Sequence, residues 1–201
     1  MQHKKLILLV FFLVALVQIY VPAKMVYNSN VVLDQGTVYK FKTAPVDPND
    51  PFRGKYITLR YDINSWKVED PGTWSHGQDI YVLLTTNSVG YAKILDVKRE
   101  KPDDDVDYVK ASIDYIQTWN QSPARLIIDY PFDRYYMEES KAYDAEIAYR
   151  KSARDVQQHS YALVHIKDGS PIVKDVLINE VPIRELVIEQ QLKNANHENN
   201  Y

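Results

Sequence analysis

After two lysines, Lys4 and Lys5, the chain runs apolar from Leu6 to Val21, interrupted only by Gln18, before reaching Pro22 and Ala23. At about 1.5 Å per residue such a run falls slightly short of a hydrocarbon core roughly 30 Å thick. A snorkelling Lys5 and an interfacial Tyr20 would make up the difference. A cleaved signal peptide needs small residues before its cleavage site, and Val21-Pro22-Ala23-Lys24 offers no such pattern. The segment therefore reads as an uncleaved signal anchor in preference to a leader or a buried helix. Lys4 and Lys5 place the amino terminus in the cytoplasm, against a weaker opposing pull from Lys24, so the body of the chain is expected outside the cytoplasmic membrane.

Beyond the anchor the hydrophobic period switches to two. From Thr37 to Thr43, Tyr39 and Phe41 alternate with Val38, Lys40 and Lys42, the pattern of a half-buried strand. From Tyr56 to Ile63, alternation puts Ile57, Leu59, Tyr61 and Ile63 on one face and Tyr56, Thr58, Arg60 and Asp62 on the other. Ser65 to Gly77 has no clean period and reads as a loop. Asp79 to Thr85 and Gly90 to Val97 form a hairpin through Thr86-Asn87-Ser88. Strands are also predicted over Tyr108 to Ile116, with Val109, Ala111, Ile113 and Tyr115 inward, and over Ala124 to Tyr130. Glu138 to Ala153 is the one convincing soluble helix, with Ala142, Ala145 and Ala148 or Tyr149 at helical spacing. Tyr161 to Lys167 and Pro171 to Ile178 flank an Asp168-Gly169 turn, and Val181 to Val187 reads as a last strand.

The expected fold is thus β-rich α+β: one transmembrane helix, then a mainly antiparallel, barrel-like sheet domain with one amphipathic helix. The divisions are a cytoplasmic stub (1–5), the anchor (6–23), a linker (24–36), one extracytoplasmic domain (37–190) and a disordered tail (191–201). A net charge of −3 with scattered basic residues supplies no stripe for nucleic acid. The absence of cysteine removes disulfides, thiol catalysis and thiolate metal sites. Sixteen tyrosines against five phenylalanines point to sheet surfaces lined with amphipathic rings.

The stretch Pro45-Val46-Asp47-Pro48-Asn49-Asp50-Pro51-Phe52-Arg53-Gly54-Lys55-Tyr56-Ile57-Thr58-Leu59-Arg60-Tyr61 is the most distinctive in the chain. Three prolines stiffen the loop, and Gly54 permits a sharp entry into the strand. The octapeptide from Gly54 to Tyr61 resembles the hallmark of the GDYXXLXY family of prokaryotic proteins, which is defined by a sequence pattern and not by a known reaction. The membrane segment, the Val46-Asp47-Pro48 and Phe52-Arg53-Gly54 lead-in and the later Arg134-Tyr135-Tyr136 extend that resemblance over nearly the whole chain. The pattern's aspartate is Lys55 here, which puts any mechanism needing a carboxylate there in doubt. The resemblance implies a membrane-anchored protein encoded near multi-spanning membrane proteins, and so, by association, a membrane-protein partner.

Candidate binding residues are Asp47, Asp50 and Arg53 in the loop, Gly54, Tyr56, Leu59 and Tyr61 in the motif, and Arg134, Glu139 and Glu146 further on. Their bland reading is architectural: aspartates cap local amides, Glu138 and Glu139 favour a helix amino terminus, and Glu146 pairs with Arg150. No catalytic residue, metal or cofactor is indicated. Asp103, Asp105 and Asp107 have calcium-loop spacing, but Tyr108 replaces the required glycine and Asp114 the bidentate glutamate. The histidines lack ligand spacing, Ser140-Lys141 and Lys151-Ser152 are helix neighbours that do not face each other, and no nucleophile elbow or phosphate-binding loop occurs. The expected role is an accessory or interaction module at the membrane. The alternative is an anchored hydrolase, on a scaffold like that of type I signal peptidases or with a carboxylate-based site.

Overall fold

The computed structural model describes residues 2–44, 56–103, 106–119, 122–154 and 159–198. The first helix, α1 (Gln2–Gln35), is followed by β1 (Thr37–Lys42), β2 (Tyr56–Thr58) and β3 (Ser65–Val68). Next come β4 (Asp79–Thr86), β5 (Ala92–Lys98), β6 (Tyr108–Trp119), β7 (Ser122–Asp129) and β8 (Arg134–Tyr136). Helix α2 (Glu139–Arg154) leads to β9 (Ser160–Lys167), β10 (Ser170–Ile178), β11 (Val181–Pro182) and α3 (Ile183–Glu198).

The strands form two larger antiparallel sheets, ordered β1-β9-β10-β11 and β3-β7-β6-β4-β5, and the small pair β2-β8. Parallel bridges at Lys40–Tyr91 and Val109–Gly169 join the larger sheets, which wrap into the barrel-like arrangement the alternating patterns imply. Their inner faces share one core, with Phe41, Ile80, Val82, Leu126 and Val164 all essentially inaccessible to water. The Asp168-Gly169 turn has both residues at positive φ, 50° and 78°. Gly169 is required there for space as well, because a Cβ would lie 2.3 Å from the Tyr108 ring.

Several boundaries differ from those expected. At about 1.5 Å per residue, the 34 residues of α1 extend roughly 50 Å, well beyond a hydrocarbon core of about 30 Å. Residues 24–35, read from sequence as a linker, continue the helix. Pro22 lacks an N–H but does not end it, as long apolar helices tolerate proline. Docking of the last turns supplies the stabilisation that polarity alone did not forecast: Val32 is buried, and α1 packs on β9 and β10. Leu6 to Val21 remain exposed, as a bilayer-facing helix requires.

The stretch from Ser65, read as a loop, contains β3 and a 3-10 turn at Pro71–Thr73, because cross-strand partners on β7 fix a segment with no period of its own. Tyr115 is exposed, not inward, because the register of β6 against β7 shifts between Ile113 and Tyr115. Such a bulge inverts the phase of the residues that follow it, here up to the next register shift between Gln117 and Trp119. The expected last strand is instead α3 after two residues of β11, with Ile183 and Val187 buried one turn apart. Residues 191–198 of the expected tail belong to that helix, which packs on α2.

The junction of α1 with the sheet is tight. The Gly36 N–H donates to the Val32 carbonyl at 2.9 Å, closing the helix. A Cβ on Gly36 would sit 2.5 Å from that carbonyl oxygen and 2.9 Å from that of Ile166. His165 is buried at the same place, and burial first, then the charge of Lys174, holds its imidazole below the ordinary range, with the Leu33 backbone opposing. Gly36→Ala is expected to cost about 1–3 kcal/mol, lowering the thermal midpoint of the protein in detergent by several degrees. An unchanged midpoint would show that the helix and sheet do not hold each other as described.

Candidate functional site

The segment from Tyr56 to Asp62 is held from both sides. Residues Tyr56, Ile57 and Thr58 pair with Tyr136, Tyr135 and Arg134, and the Leu59 N–H donates to the Asp133 carbonyl at 2.7 Å. Opposite, the Ala44 N–H donates to the Arg60 carbonyl at 2.8 Å, the Asp62 N–H to the Lys42 carbonyl at 3.1 Å, and Thr43 bridges to Tyr61. Strand β2 and the four residues after it, Leu59 to Asp62, thereby tie β1 to β8.

The alternation read from sequence sends Ile57, Leu59 and Tyr61 inward, and all three are buried, with Leu59 2% and Tyr61 3% exposed. A buried phenol needs an acceptor, and the Tyr61 hydroxyl donates to the Phe132 carbonyl at 2.8 Å. Burial first, then Tyr149, Asp133 and Tyr130, keep this phenol protonated well above its ordinary range. The Phe41, Tyr61, Tyr130 and Phe132 rings meet edge-on or tilted, with centroids 5.0–5.9 Å apart. Tyr130 is itself satisfied by donating to the Ile63 carbonyl at 2.8 Å. From α2, Tyr149 is buried against the same segment. Its hydroxyl lies toward Thr43 and the Arg60 backbone without closing a well-formed hydrogen bond, and burial pushes it up to about 12.

Tyr56 turns the other way. Its ring lies 5.4 Å from that of Tyr136, with the Arg134 guanidinium 5.2 Å from its centroid and 3.7 Å from Asp133. Asp47, Asp50, Arg53, Gly54 and Lys55 lie outside the described residues. Glu139 opens α2, but its side chain is outside the described set too, as are those of Tyr143 and Arg150. Glu146 is half-buried, and neither it nor Arg134 is among the residues lining the groove described below.

The solvent face of the motif segment carries what sequence reasoning missed. Thr58 and Arg60 line a groove of about 330 Å³ together with Asp114, Asp129, Asp133, Asn64 and Tyr115. The bulge in β6 creates part of this lining, because Asp114 and Tyr115 are both exposed on consecutive positions. The Asp129 carboxyl is raised above the usual carboxylate range by burial first, then by the negative charges of Asp133 and Asp114. The Asp114 backbone carbonyl meets the His76 ring at the outer rim. Polar positions at 58 and 60 were a legible signal, but the three aspartates come from separate strands and loops that only pairing brings together.

The sequence model of one family, described as GDYXXLXY protein, matches residues 18–176, from within α1 to β10 and across the whole motif segment and groove. The chain belongs to the GDYXXLXY family. No curated protein and no solved structure matches it. In this GDYXXLXY protein the signature divides by face: Leu59 and Tyr61 serve the core, while Tyr56 and the intervening Thr58 and Arg60 face outward.

That division is testable by stability. Tyr61→Phe is expected to cost about 1–2 kcal/mol by stranding the Phe132 carbonyl, and Leu59→Ala about 2–5 kcal/mol, whereas Thr58→Ala should stay within about 0.5 kcal/mol. Denaturant midpoints that rank these variants otherwise would contradict the assignment of faces. For Asp129 the folded carboxyl titrates above its unfolded value, so the folded state binds its proton more tightly and the group's contribution is lost as pH rises through the folded pKa. Asp129→Asn should therefore gain stability relative to the parent at pH 7, and the gain should vanish below about pH 3.9, the unfolded value. Thermal melts across pH that show a loss at neutral pH would reverse that sign.

Proposed function

We propose that this GDYXXLXY protein is a single-pass, membrane-anchored module whose domain lies on the extracytoplasmic side and recognises a membrane-protein partner through the groove along its motif segment. The observation that carries this reading is the two-sided segment itself. Its inner face is consumed by the core, while its outer face lines a cavity that brings one arginine and three aspartates together. Such an array of opposite charges on a rigid strand orients a partner better than it activates a nucleophile. The long helix supplies proximity to membrane proteins, and its length beyond the hydrocarbon core would hold the domain clear of the headgroups. Asp47, Asp50 and Arg53, adjacent in sequence to the segment, are proposed contacts on sequence grounds alone.

A second reading has one specific observation in its favour. Asp129, raised in pKa beside two further carboxylates in a groove, has the character of a general acid, as a carboxylate-based hydrolase would need. Glu146, one of the carboxylates first considered for such a site, is not among the residues lining this groove.

Topology is read by placing a single cysteine at Ser88, an exposed turn position in a chain without native cysteine. It should react with a membrane-impermeant maleimide in intact spheroplasts, and protection until lysis would reverse the orientation. A photo-crosslinking residue at Tyr115 should capture one dominant membrane protein, and the adduct should disappear in Asp129→Lys. Equal adducts in both, or none, would remove the interaction reading. If Asp129→Asn abolishes a cellular phenotype while the adduct and the folding midpoint persist, the hydrolase reading takes its place.

A further inference from the structure

We infer that the outer edge of β3 accepts an extended segment of a partner protein as an added antiparallel strand, with a carboxylate side chain of that segment seated between Lys67 and Arg125. The inference rests on the reading of this domain as an interaction module and names how its partner binds. Strand β3 is the edge of its sheet, paired on one side only, with β7. The Ile128 N–H donates to the Asn64 carbonyl at 2.8 Å, which makes 64–128 a hydrogen-bonded pair. Continuing the register, Trp66–Leu126 and Val68–Ala124 are hydrogen-bonded pairs as well, and Ser65–Ile127 and Lys67–Arg125 are not. The N–H and C=O groups of Ser65 and Lys67 therefore point outward, away from β7. Among the described residues no strand takes them up.

Beside that edge lies an open trough of about 340 Å³ lined by Ser65, Trp66, Lys67 and Arg125. Lys67 and Arg125 are directly opposite each other on the same outward face, in the pair type where side chains approach most closely. Like charges so placed destabilise a sheet, and among the described residues neither has an ion-pair partner. A single edge lysine would be enough to discourage unwanted pairing. Two cations across one register position are instead complementary to a carboxylate, which would turn their mutual repulsion into attraction. The same charges disfavour a second copy of this chain as the occupant, since pairing β3 with β3 would gather two such cation pairs on one edge. Main-chain bonds to Ser65 and Lys67 would supply affinity and the cation pair selectivity, the division of labour in strand addition.

The test uses the full chain in detergent micelles and fluorescein-labelled peptides of alternating valine and threonine. One version carries glutamate at two threonine positions, and the other carries lysine there. Anisotropy should show binding of the glutamate peptide only. Ser65→Pro removes an outward N–H while leaving the bonds to β7 intact, and should weaken binding about tenfold with an unchanged thermal midpoint. Lys67→Glu with Arg125→Glu should transfer the preference to the lysine peptide. Binding that ignores Ser65→Pro, an absence of charge preference, or full displacement by inorganic phosphate would each overturn strand addition. Loss of these peptide effects with the Tyr115 adduct preserved would sink this inference alone, whereas peptide binding without any membrane adduct would sink the partner reading.

Discussion

Burying Tyr61 imposes the constraint on which the rest of the domain depends. A phenol can enter a core only if its hydroxyl is satisfied, and the Phe132 carbonyl is the group that satisfies it. That one bond fixes the chain after β7 against the motif segment, and it brings Phe41, Tyr130 and Phe132 around the Tyr61 ring. Each aromatic contact adds about 0.5–1.5 kcal/mol beyond the area it buries, so the four-ring cluster is a concentrated source of stability in a protein without disulfides. Strand β1 contributes Phe41 and the Thr43 bridge, the segment before β8 contributes Phe132, and α2 covers the cluster with Tyr149. The signature of the family is thus the seam at which otherwise separate pieces of chain are joined.

The same seam explains why the outer face is left out of the core. With Leu59 and Tyr61 committed inward and the backbone bonded to both neighbours, Thr58 and Arg60 are held at fixed positions on a strand that cannot slide. At the opposite end of the domain, Gly36 lets α1 approach the β9 backbone more closely than any side chain would allow. The last turns of α1 are consequently packed against β9 and β10 and do not form a free linker.

Periodicity made much of this architecture legible. The apolar run of α1, the inward set Ile57, Leu59 and Tyr61, the β4–β5 hairpin, the Ala142, Ala145 and Tyr149 face of α2 and the Asp168-Gly169 turn all follow from local spacing. The errors have a common origin in contacts distant along the chain. Residues 24–35, which carry no sustained pattern, are helical because their end docks on β9 and β10, and Ser65–Val68 is a strand because β7 pairs with it. Residues 183–198 form a helix because Ile183 and Val187 find a buried surface beside α2 and β10. Among the candidate residues, alternation placed Leu59 and Tyr61 on the right face.

What the sequence determined by itself was class: a long apolar helix, a β-rich domain and membership in a family, because each is written in composition, period or a contiguous motif. What only the tertiary structure decided was which polar groups meet. Asp114, Asp129 and Asp133 come together with Arg60 through a bulge in β6 and through pairings between segments tens of residues apart. Lys67 faces Arg125 for the same reason. Local spacing reports which face a residue takes, but the neighbour it finds on that face is set by the register of another strand, and register is a property of the folded sheet.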